Sequence, residues 1–250
     1  AEQQKACTEL SNDFSITDPD HLNWLAMLAA KRDTFVLPTA NCYGYHHNTR
    51  SDKQVDVNRD FGYLRKDENC LMSTTAKMFH ALMMQSMLQV VVTFHGGMQA
   101  IGYEWGSPNH AGNLKAEQSP DDLANRVIGG SMQVLGGAAG KKARKGFTAA
   151  YPTGPMNSLV YPVEGGMEDW MYAAGWDKGN GNVHKCGKNN KNGEVPDNRA
   201  LVFLIETSDE KQPRDKDLGG SDHILVHDAT AGSAADDSQS AGGNGHVPRN

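Results

Sequence analysis

The sequence predicts an α/β fold in which a sheet is covered by helices on both faces. Three apolar, strand-like segments, at 33–39, 89–95 and 199–206, alternate with segments that have helical periodicity. Their apolar residues are consecutive rather than alternate, which is typical of strands buried on both faces. Buried strands that alternate with helices indicate the α/β class.

The helical segments are recognised by the spacing of apolar residues and by signals at their ends. Leu22, Leu25 and Leu28 recur at helical spacing, and Asp18 or Asp20 precedes them as a candidate N-terminal cap. A later helix begins with Ser-Pro, a cap followed by proline at the first helical position. The predicted helices are 3–14, 16–32, 70–87, 119–137 and 167–175.

Composition excludes some classes of function. The 250 residues include 24 Lys and Arg against 30 Asp and Glu, a net charge of -6, which argues against a nucleic-acid partner. No apolar run approaches the roughly 20 residues of a membrane span. We expect one large domain over 1–207, followed by a Gly-, Ser- and Asp-rich loop or tail over 208–250.

The cysteines indicate neither a metal site nor a particular disulfide pairing. Cys7, Cys42, Cys70 and Cys186 form no CxxC pair, which argues against a cysteine zinc site. An even number of cysteines permits up to two disulfides, but the spacing supports no particular pairing. The cysteines therefore do not decide between an oxidising and a reducing compartment. A secreted or vesicular location is favoured over a cytoplasmic one.

One strand ends in a residue that can bind a metal ion or act as a base. His95 follows an apolar strand and is followed at once by two glycines. A strand end is rigid and the glycines free the backbone beyond it, so an imidazole held there could bind a metal ion or act as a base. The alternative is a histidine that simply packs at the end of a strand.

Three other segments carry candidate site residues. "NTRSDKQVDVNRDF" contains Arg50, Asn58 and Arg59; "VYPVEGGMEDWMY" contains Tyr161 and Glu168; and "LVFLIETS" ends its apolar run at Glu206. An arginine fork suits the recognition of a carboxylate. A carboxylate at the end of an apolar strand is desolvated, which suits proton transfer.

Together, and in this order, the four segments resemble zinc metallocarboxypeptidases of peptidase family M14, which remove C-terminal residues from peptides. The likeness runs from about residue 2 to 206, and "NxYG" at 41–44 and "YEW" at 103–105 also fit it. It implies a mixed, largely eight-stranded sheet between helices. It also implies Zn²⁺ as cofactor and the C terminus of a peptide or protein as substrate.

The resemblance implies a role for each candidate residue. His95 matches the family's downstream zinc ligand, and Glu206 matches its general acid/base. Arg50 would stabilise the oxyanion that develops on the scissile carbonyl.

The remaining candidates match substrate-binding positions of the family. Asn58 and Arg59 would hold the terminal carboxylate. Tyr161 matches a tyrosine on a loop that closes over the substrate. Glu168 occupies the position that lines the specificity pocket, so an acid there predicts a preference for C-terminal Lys or Arg. Other members place their selectivity acid at the position of Gly106.

The sequence departs from the family at its upstream zinc motif, HxxE, which appears nowhere in the chain. The interval to Asn41 suggests that Glu2 is the glutamate of that motif and that its histidine would precede Ala1. We therefore expect a chain that begins inside the domain and stops before its final helix, with Glu2 and His95 as its metal ligands. Such a chain would be weak or inactive alone, although the parent protein would be active.

Substitute metal ligands and other functions stay open. His46 with His47, or His184 with Cys186, could replace the missing histidine, although solvated loop residues are the simpler interpretation. A carboxypeptidase-like binding domain without catalysis would explain the absent motif but not the retained Glu206. A zinc amidohydrolase acting on acylated amino acids is a third hypothesis. The segments that carry Arg50 and Arg59 favour a peptide C terminus over an acylated amino acid as the substrate.

Overall fold

The structure is a computed structural model that describes residues 19–112, 117–135, 151–178, 181–208 and 211. The chain divides into two units, of which the first comprises 1–38, 135–150 and 210–250 and the second comprises 39–134 and 151–209. Helix α1 (Pro19–Lys31) lies in the first unit and confirms the helix predicted over 16–32. The predicted helix at 3–14 lies outside the described residues.

A mixed sheet forms the centre of the second unit. Its strands are β1 (Val90–His95), β2 (Met98–Tyr103), β3 (Thr153–Pro155) and β4 (Leu201–Ser208), in the order β1-β4-β2-β3. β1 is parallel to β4, β2 is antiparallel to β4, and β3 is parallel to β2. The α/β class and the mixed sheet are confirmed, and the described residues contain four strands.

The helices of this unit are α2 (Cys42–His47), α3 (Thr74–Gln85), α4 (Asp122–Leu135), α5 (Met156–Leu159) and α6 (Met167–Ala173). α3, α4 and α6 confirm the helices predicted over 70–87, 119–137 and 167–175. The Ser73 hydroxyl accepts a hydrogen bond from the backbone N–H of Ala76 and so caps α3. α4 begins at Asp122, two residues after the proline that was expected to open it.

The strand predicted at 33–39 is wrong. Residues 32–37 have no regular secondary structure, and Phe35 and Val36 are exposed. A strand is defined by its backbone partner, and within the described residues this segment pairs with none. Its apolar composition is therefore compatible with a strand but does not produce one.

The expectation that the strands are buried on both faces holds for β4 and fails for β1. β4 lies between two other strands, and Val202, Phe203 and Leu204 are buried. β1 lies at the edge of the described sheet, and its alternate residues Val90 and Phe94 are exposed. Position in the sheet, which composition does not report, decides the difference.

The core of the unit is aromatic and centres on α6. Every residue of this helix is buried, and Trp170 packs against Phe61 with ring centroids 5.4 Å apart. Trp105, which follows β2, packs edge-on against Tyr172 of α6 with centroids 5.3 Å apart. This packing holds the N-terminal end of α6 in place, close to the ends of the strands.

A disulfide joins Cys70 to Cys186, across 116 residues of sequence. Cys42 is a free, exposed thiol. Because a disulfide sulfur cannot ligate zinc as a thiolate, the proposal of His184 with Cys186 as substitute ligands is wrong in this structure. Separately, none of the helices within the described ranges has both the length and the apolarity that crossing a membrane requires.

We expect the disulfide to contribute to stability, because it closes a long loop and so restricts the unfolded chain. Replacing Cys70 by Ser should lower the free energy of unfolding by about 2–5 kcal/mol in denaturant titrations. Cys42→Ser is the matched control and should leave the unfolding midpoint unchanged. Equal midpoints for the Cys70 variant and the parent would contradict this contribution.

Candidate active site

The register of the parallel strands brings two of the candidate residues side by side. His95 at the end of β1 is the Cα partner of Glu206 in β4. The Thr207 hydroxyl donates to the His95 carbonyl oxygen at 3.0 Å and fixes the end of β1. Glu206 is 9% exposed, and its Oε2 atom has no hydrogen-bond partner within the described residues. A buried carboxylate oxygen without a donor is therefore available beside an imidazole.

Asp56 organises the segment that carries Arg50 and Asn58. Its Oδ1 accepts from the backbone N–H of Asn58 at 3.2 Å and so caps the short 3₁₀ helix Val57–Arg59. Its Oδ2 accepts from Arg50 Nε at 2.7 Å. This hydrogen bond raises the pKa of Arg50, and the charges of Tyr161 and Glu206 act in the same direction. The guanidinium therefore lies within electrostatic reach of both residues.

The "NxYG" segment holds Arg50 from the other side. Asn41 Nδ2 donates to the Arg50 carbonyl oxygen at 2.9 Å, and Asn41 Oδ1 accepts from the Gly44 N–H at 2.8 Å. A Cβ atom at Gly44 would lie 2.3 Å from Asn41 Nδ2, so a larger residue would displace this amide. The motif thus fixes the backbone from which Arg50 projects.

Asn58 and Glu168 join the 3₁₀ helix to α6. Asn58 Oδ1 accepts from the backbone N–H of Met167 at 2.8 Å, and Asn58 Nδ2 donates to Glu168 Oε1 at 3.1 Å. Glu168 is only 2% exposed. The same Oε1 atom lies 3.5 Å from the Thr93 hydroxyl and 4.0 Å from His95 Nε2. One carboxylate oxygen therefore connects Asn58, β1 and α6.

Arg59 and Tyr161 form a pair at the surface of this cluster. Arg59 Nη2 donates to the Tyr161 hydroxyl at 3.3 Å, and the guanidinium carbon lies 5.8 Å from the centre of the phenol ring. Arg59 Nη1 also donates to the Asn58 carbonyl oxygen. Tyr161 is 56% exposed, so the pair lies at the solvent boundary of the cluster.

Two buried carboxyl groups that the sequence reasoning did not single out lie close to these residues. Asp169 is 1% exposed, and its Oδ1 accepts from the Gly106 N–H at 2.9 Å. Burial raises the pKa of Asp169 to about 7. Glu104 is completely buried, accepts from the Val202 N–H at 2.7 Å, and burial raises its pKa well above the usual range.

The described residues do not by themselves make a zinc site. Structural and catalytic zinc sites use at least three protein ligands. In the part of the chain that the structure describes, no three His, Cys, Asp or Glu side chains are grouped to hold a metal ion. His95 has Glu168 as its nearest acidic neighbour, and the other expected ligand, Glu2, lies outside the described residues.

The candidate residues that the structure describes all lie in the second unit, and the interactions above connect them. They are Arg50, Asn58, Arg59, His95, Tyr161, Glu168 and Glu206. His46 and His47 are exposed neighbours on α2, with ring centroids 4.8 Å apart. Asp56, Thr93 and Asp169 were missed, although an aspartate two residues before Asn58 is a recognisable capping signal.

Asp169 should make the protein less stable as the pH rises. The folded protein holds this proton up to about pH 7, whereas the carboxyl has its ordinary pKa of 3.8 when unfolded. The stabilising contribution is complete below the unfolded pKa and disappears as the pH rises to about 7, a change on the order of 4 kcal/mol. Urea titrations between pH 4 and pH 8 should show this decline for the parent chain. Asp169→Asn, which keeps the Oδ1 acceptor, should flatten it; an unchanged slope would contradict the assignment.

Comparison with known proteins identifies the family. The family model described as zinc carboxypeptidase, peptidase M14, matches residues 20–218. The crystal structure of carboxypeptidase A from Helicoverpa armigera is similar at 13% sequence identity with a TM-score of 0.44, over 80% of this chain and 51% of that one. The chain thus spans about half the length of that structure. No curated protein matches the chain. Since the family match extends over more than half of its length, the chain belongs to the zinc carboxypeptidase family.

Proposed function

We propose that this chain carries the substrate-binding and catalytic residues of a zinc-dependent metallocarboxypeptidase that hydrolyses the C-terminal peptide bond of peptides or proteins. The observation that supports this most strongly is the connected cluster of Arg50, Asn58 and Arg59 beside Glu206. Such a cluster combines donors for a carboxylate with a buried, unpartnered acceptor for a proton.

Recognition of the terminal carboxylate is assigned to Asn58 and Arg59. An exopeptidase must distinguish a free C terminus from an internal peptide, and a guanidinium makes two charge-assisted hydrogen bonds to a carboxylate. Arg59 is near the solvent boundary, where a chain end can reach it. Its contact with the Tyr161 hydroxyl supports the proposal that Tyr161 closes over the bound residue.

Proton transfer is assigned to Glu206. Its Oε2 atom is buried and has no donor among the described residues, so it is available to take a proton from the attacking water. The same carboxyl would then pass this proton to the leaving amine. Arg50, whose pKa the Glu206 charge helps to raise, would stabilise the negative charge that develops on the scissile carbonyl oxygen.

Membership of the family implies zinc, and we propose His95 and Glu2 as two of its ligands. His95 lies at the rigid end of β1, where the register with β4 and the Thr207 hydrogen bond fix its backbone. Because the described residues lack a three-ligand group, the steps assigned above concern protein groups alone.

The proposed substrate preference is for C-terminal Lys or Arg. Asn58 donates a hydrogen bond to the Glu168 carboxylate, which therefore lies beside the proposed site of the terminal carboxylate. The side chain of a residue bound at that site would extend to Glu168. Its Oε1 atom is already hydrogen-bonded, so only Oε2 remains for a substrate. The disulfide between Cys70 and Cys186 supports a secreted or vesicular location for the protein, since such bonds persist in oxidising compartments.

A second candidate function is a carboxypeptidase-like domain that binds peptide C termini without cleaving them. The observation that favours it is the lack of a three-ligand group within the described residues. The unpartnered Glu206 oxygen favours catalysis instead, because a binding domain gains nothing from a buried carboxylate without a donor.

The function is tested by incubating the chain with Zn²⁺ and peptides that end in Arg, Lys, Phe or Leu. Because the described residues hold no three-ligand group, we expect slow, chelator-sensitive release of the C-terminal residue, fastest for Arg and Lys, and a roughly 10²–10⁴-fold lower rate for Glu206→Gln. Tight binding without release would favour the binding domain. Release from acylated amino acids but not from peptides would favour an amidohydrolase.

The carboxylate assignment is tested by equilibrium binding, which does not need catalysis. Arg59→Ala should weaken the binding of a peptide acid by about 10- to 100-fold, since it removes charge-assisted hydrogen bonds. Tyr161→Phe, which removes only the hydroxyl, should have a smaller effect. The matching C-terminal amide should bind weakly to every variant; equal binding of acid and amide by the parent chain would exclude this role of Arg59.

A further inference from the structure

An open cavity lies between α3 and the loop 189–194, and its volume is about 620 Å³. None of the residues that line it belongs to the candidate active site. The lining is predominantly polar, with four carboxamide side chains and one side chain of each charge. These residues are Gln85, Asn189, Asn190, Asn192, Lys191 and Glu194.

Hydrogen bonds within the protein hold the loop against α3. His80 Nε2 donates to the Glu194 carbonyl oxygen at 3.0 Å, and the Gly193 N–H donates to the Asn190 carbonyl oxygen at 2.9 Å. His80 itself packs against Trp170 of the aromatic core, with ring centroids 5.4 Å apart. The wall is therefore formed before a ligand enters, so binding requires little ordering of the protein.

The disulfide fixes the start of the same loop. Cys186 is joined to Cys70, and Asn189 Nδ2 donates to the Cys70 carbonyl oxygen at 2.8 Å. Both contacts lie on the loop side of the cavity. They give this wall a covalent attachment to the segment that precedes α3.

The carboxamides retain hydrogen-bonding capacity that the fold does not use. Gln85 and Asn192 are exposed, and their side chains make no hydrogen bond within the described residues. Asn190 is 9% exposed, and its Nδ2 donates to the Glu194 carbonyl oxygen. Its Oδ1 has no partner among the described residues and retains contact with solvent. Donors and acceptors are therefore available to a ligand in the cavity.

The charged side chains of the cavity balance each other. Neither Lys191 nor Glu194 forms an ion pair within the described residues. Together they contribute no net charge to the lining. Because electrostatic complementarity selects partners, such a lining favours a neutral polar ligand over an anion or a cation.

We propose that this cavity binds a neutral saccharide that carries N-acetyl groups, such as the N-acetylglucosamine units of a glycan. A sugar hydroxyl both donates and accepts, and each carboxamide offers a donor and an acceptor to it. An acetamido group presents an N–H and a C=O, which a carboxamide matches with two hydrogen bonds. Ala81 and Met84 supply apolar surface for the acetyl methyl group.

The alternative occupant is a neutral peptide, whose backbone also pairs with carboxamides. An extended peptide is bound most effectively along the edge of a sheet, whereas the walls of this cavity are a helix and a loop. The disulfide beside the cavity supports an oxidising compartment, where N-linked glycans occur. Both observations favour the saccharide. This inference goes beyond the proposed function and does not depend on it.

Calorimetric titration of the chain with N,N′-diacetylchitobiose tests the inference. We expect saturable binding, and the double variant Gln85→Ala with Asn192→Ala should bind at least about tenfold more weakly, because two hydrogen-bonding side chains are lost. Gln89→Ala is the matched control, since Gln89 is an exposed carboxamide that does not line the cavity. It should leave the affinity unchanged. No binding by the parent chain, or equal binding by the double variant, would overturn the proposal.

A blocking variant tests the location of the site separately. Ala81 is exposed on α3, so Ala81→Trp adds an indole without entering the core. The indole would fill part of the cavity and should abolish binding of the disaccharide. Retained affinity in this variant would show that the sugar binds elsewhere.

Two further probes separate the possible sources of the ligand. The first is the same disaccharide linked to the asparagine of acetyl-Asn-Ala-Thr-amide. Binding as tight as that of the free sugar supports the glycan of a glycoprotein as the ligand, and weaker binding supports a free saccharide. The second is acetyl-trialanine amide, which should not bind. Binding of this peptide but not of the sugar would overturn the saccharide assignment. No measurement here needs catalysis, so its failure is distinct from failure of the proposed function.

Discussion

The amide of Asn58 is the interaction on which the arrangement of the site depends. Its oxygen caps the first backbone N–H of α6, and its nitrogen holds the Glu168 carboxylate. These two hydrogen bonds connect segments that lie about a hundred residues apart in sequence. Because α6 is buried along its whole length, it cannot shift without disturbing the aromatic core. The loop that carries Arg50 and Arg59 thus takes its position from a rigid helix.

Buried carboxyl groups are tolerated here because backbone N–H groups and two side-chain amides compensate for lost water. Glu104 accepts from Val202, Asp169 accepts from Gly106, and Glu168 accepts from Asn58. Glu104 also accepts from Asn125 Nδ2 at 3.1 Å, so the fold uses both of its oxygens, whereas Asp169 and Glu168 each have one oxygen that accepts. Glu206 differs, because its Oε2 is both buried and without a hydrogen-bond partner within the described ranges, which leaves it available for chemistry.

Sequence reasoning succeeded where local chemistry determines the outcome and failed where tertiary partners do. β4 and the helix at 70–87 were predicted correctly because their apolar patterns are long and unbroken. Residues 33–39 have a similar composition but no partner strand among the described residues, and β2 was missed because two glycines precede it. Arg50 and Glu206 were identifiable from their motifs. The contact between Asp169 and Gly106 was not, since it joins residues that are 63 positions apart in sequence.

The proposed substrate-binding residues are held by hydrogen bonds that do not involve the proposed metal ligand His95. Asp56, Asn41 and Asn58 orient the proposed substrate-binding residues through hydrogen bonds between protein groups, and none of these bonds involves a metal ligand. Within the described part of the chain, His95 meets this network only through Glu168, whose Oε1 lies 4.0 Å from His95 Nε2. The arrangement of Arg50, Asn58 and Arg59 therefore does not require an ion at His95. Such independence allows a relative that has lost zinc to retain recognition of a peptide C terminus, since the donors for the carboxylate would remain in place.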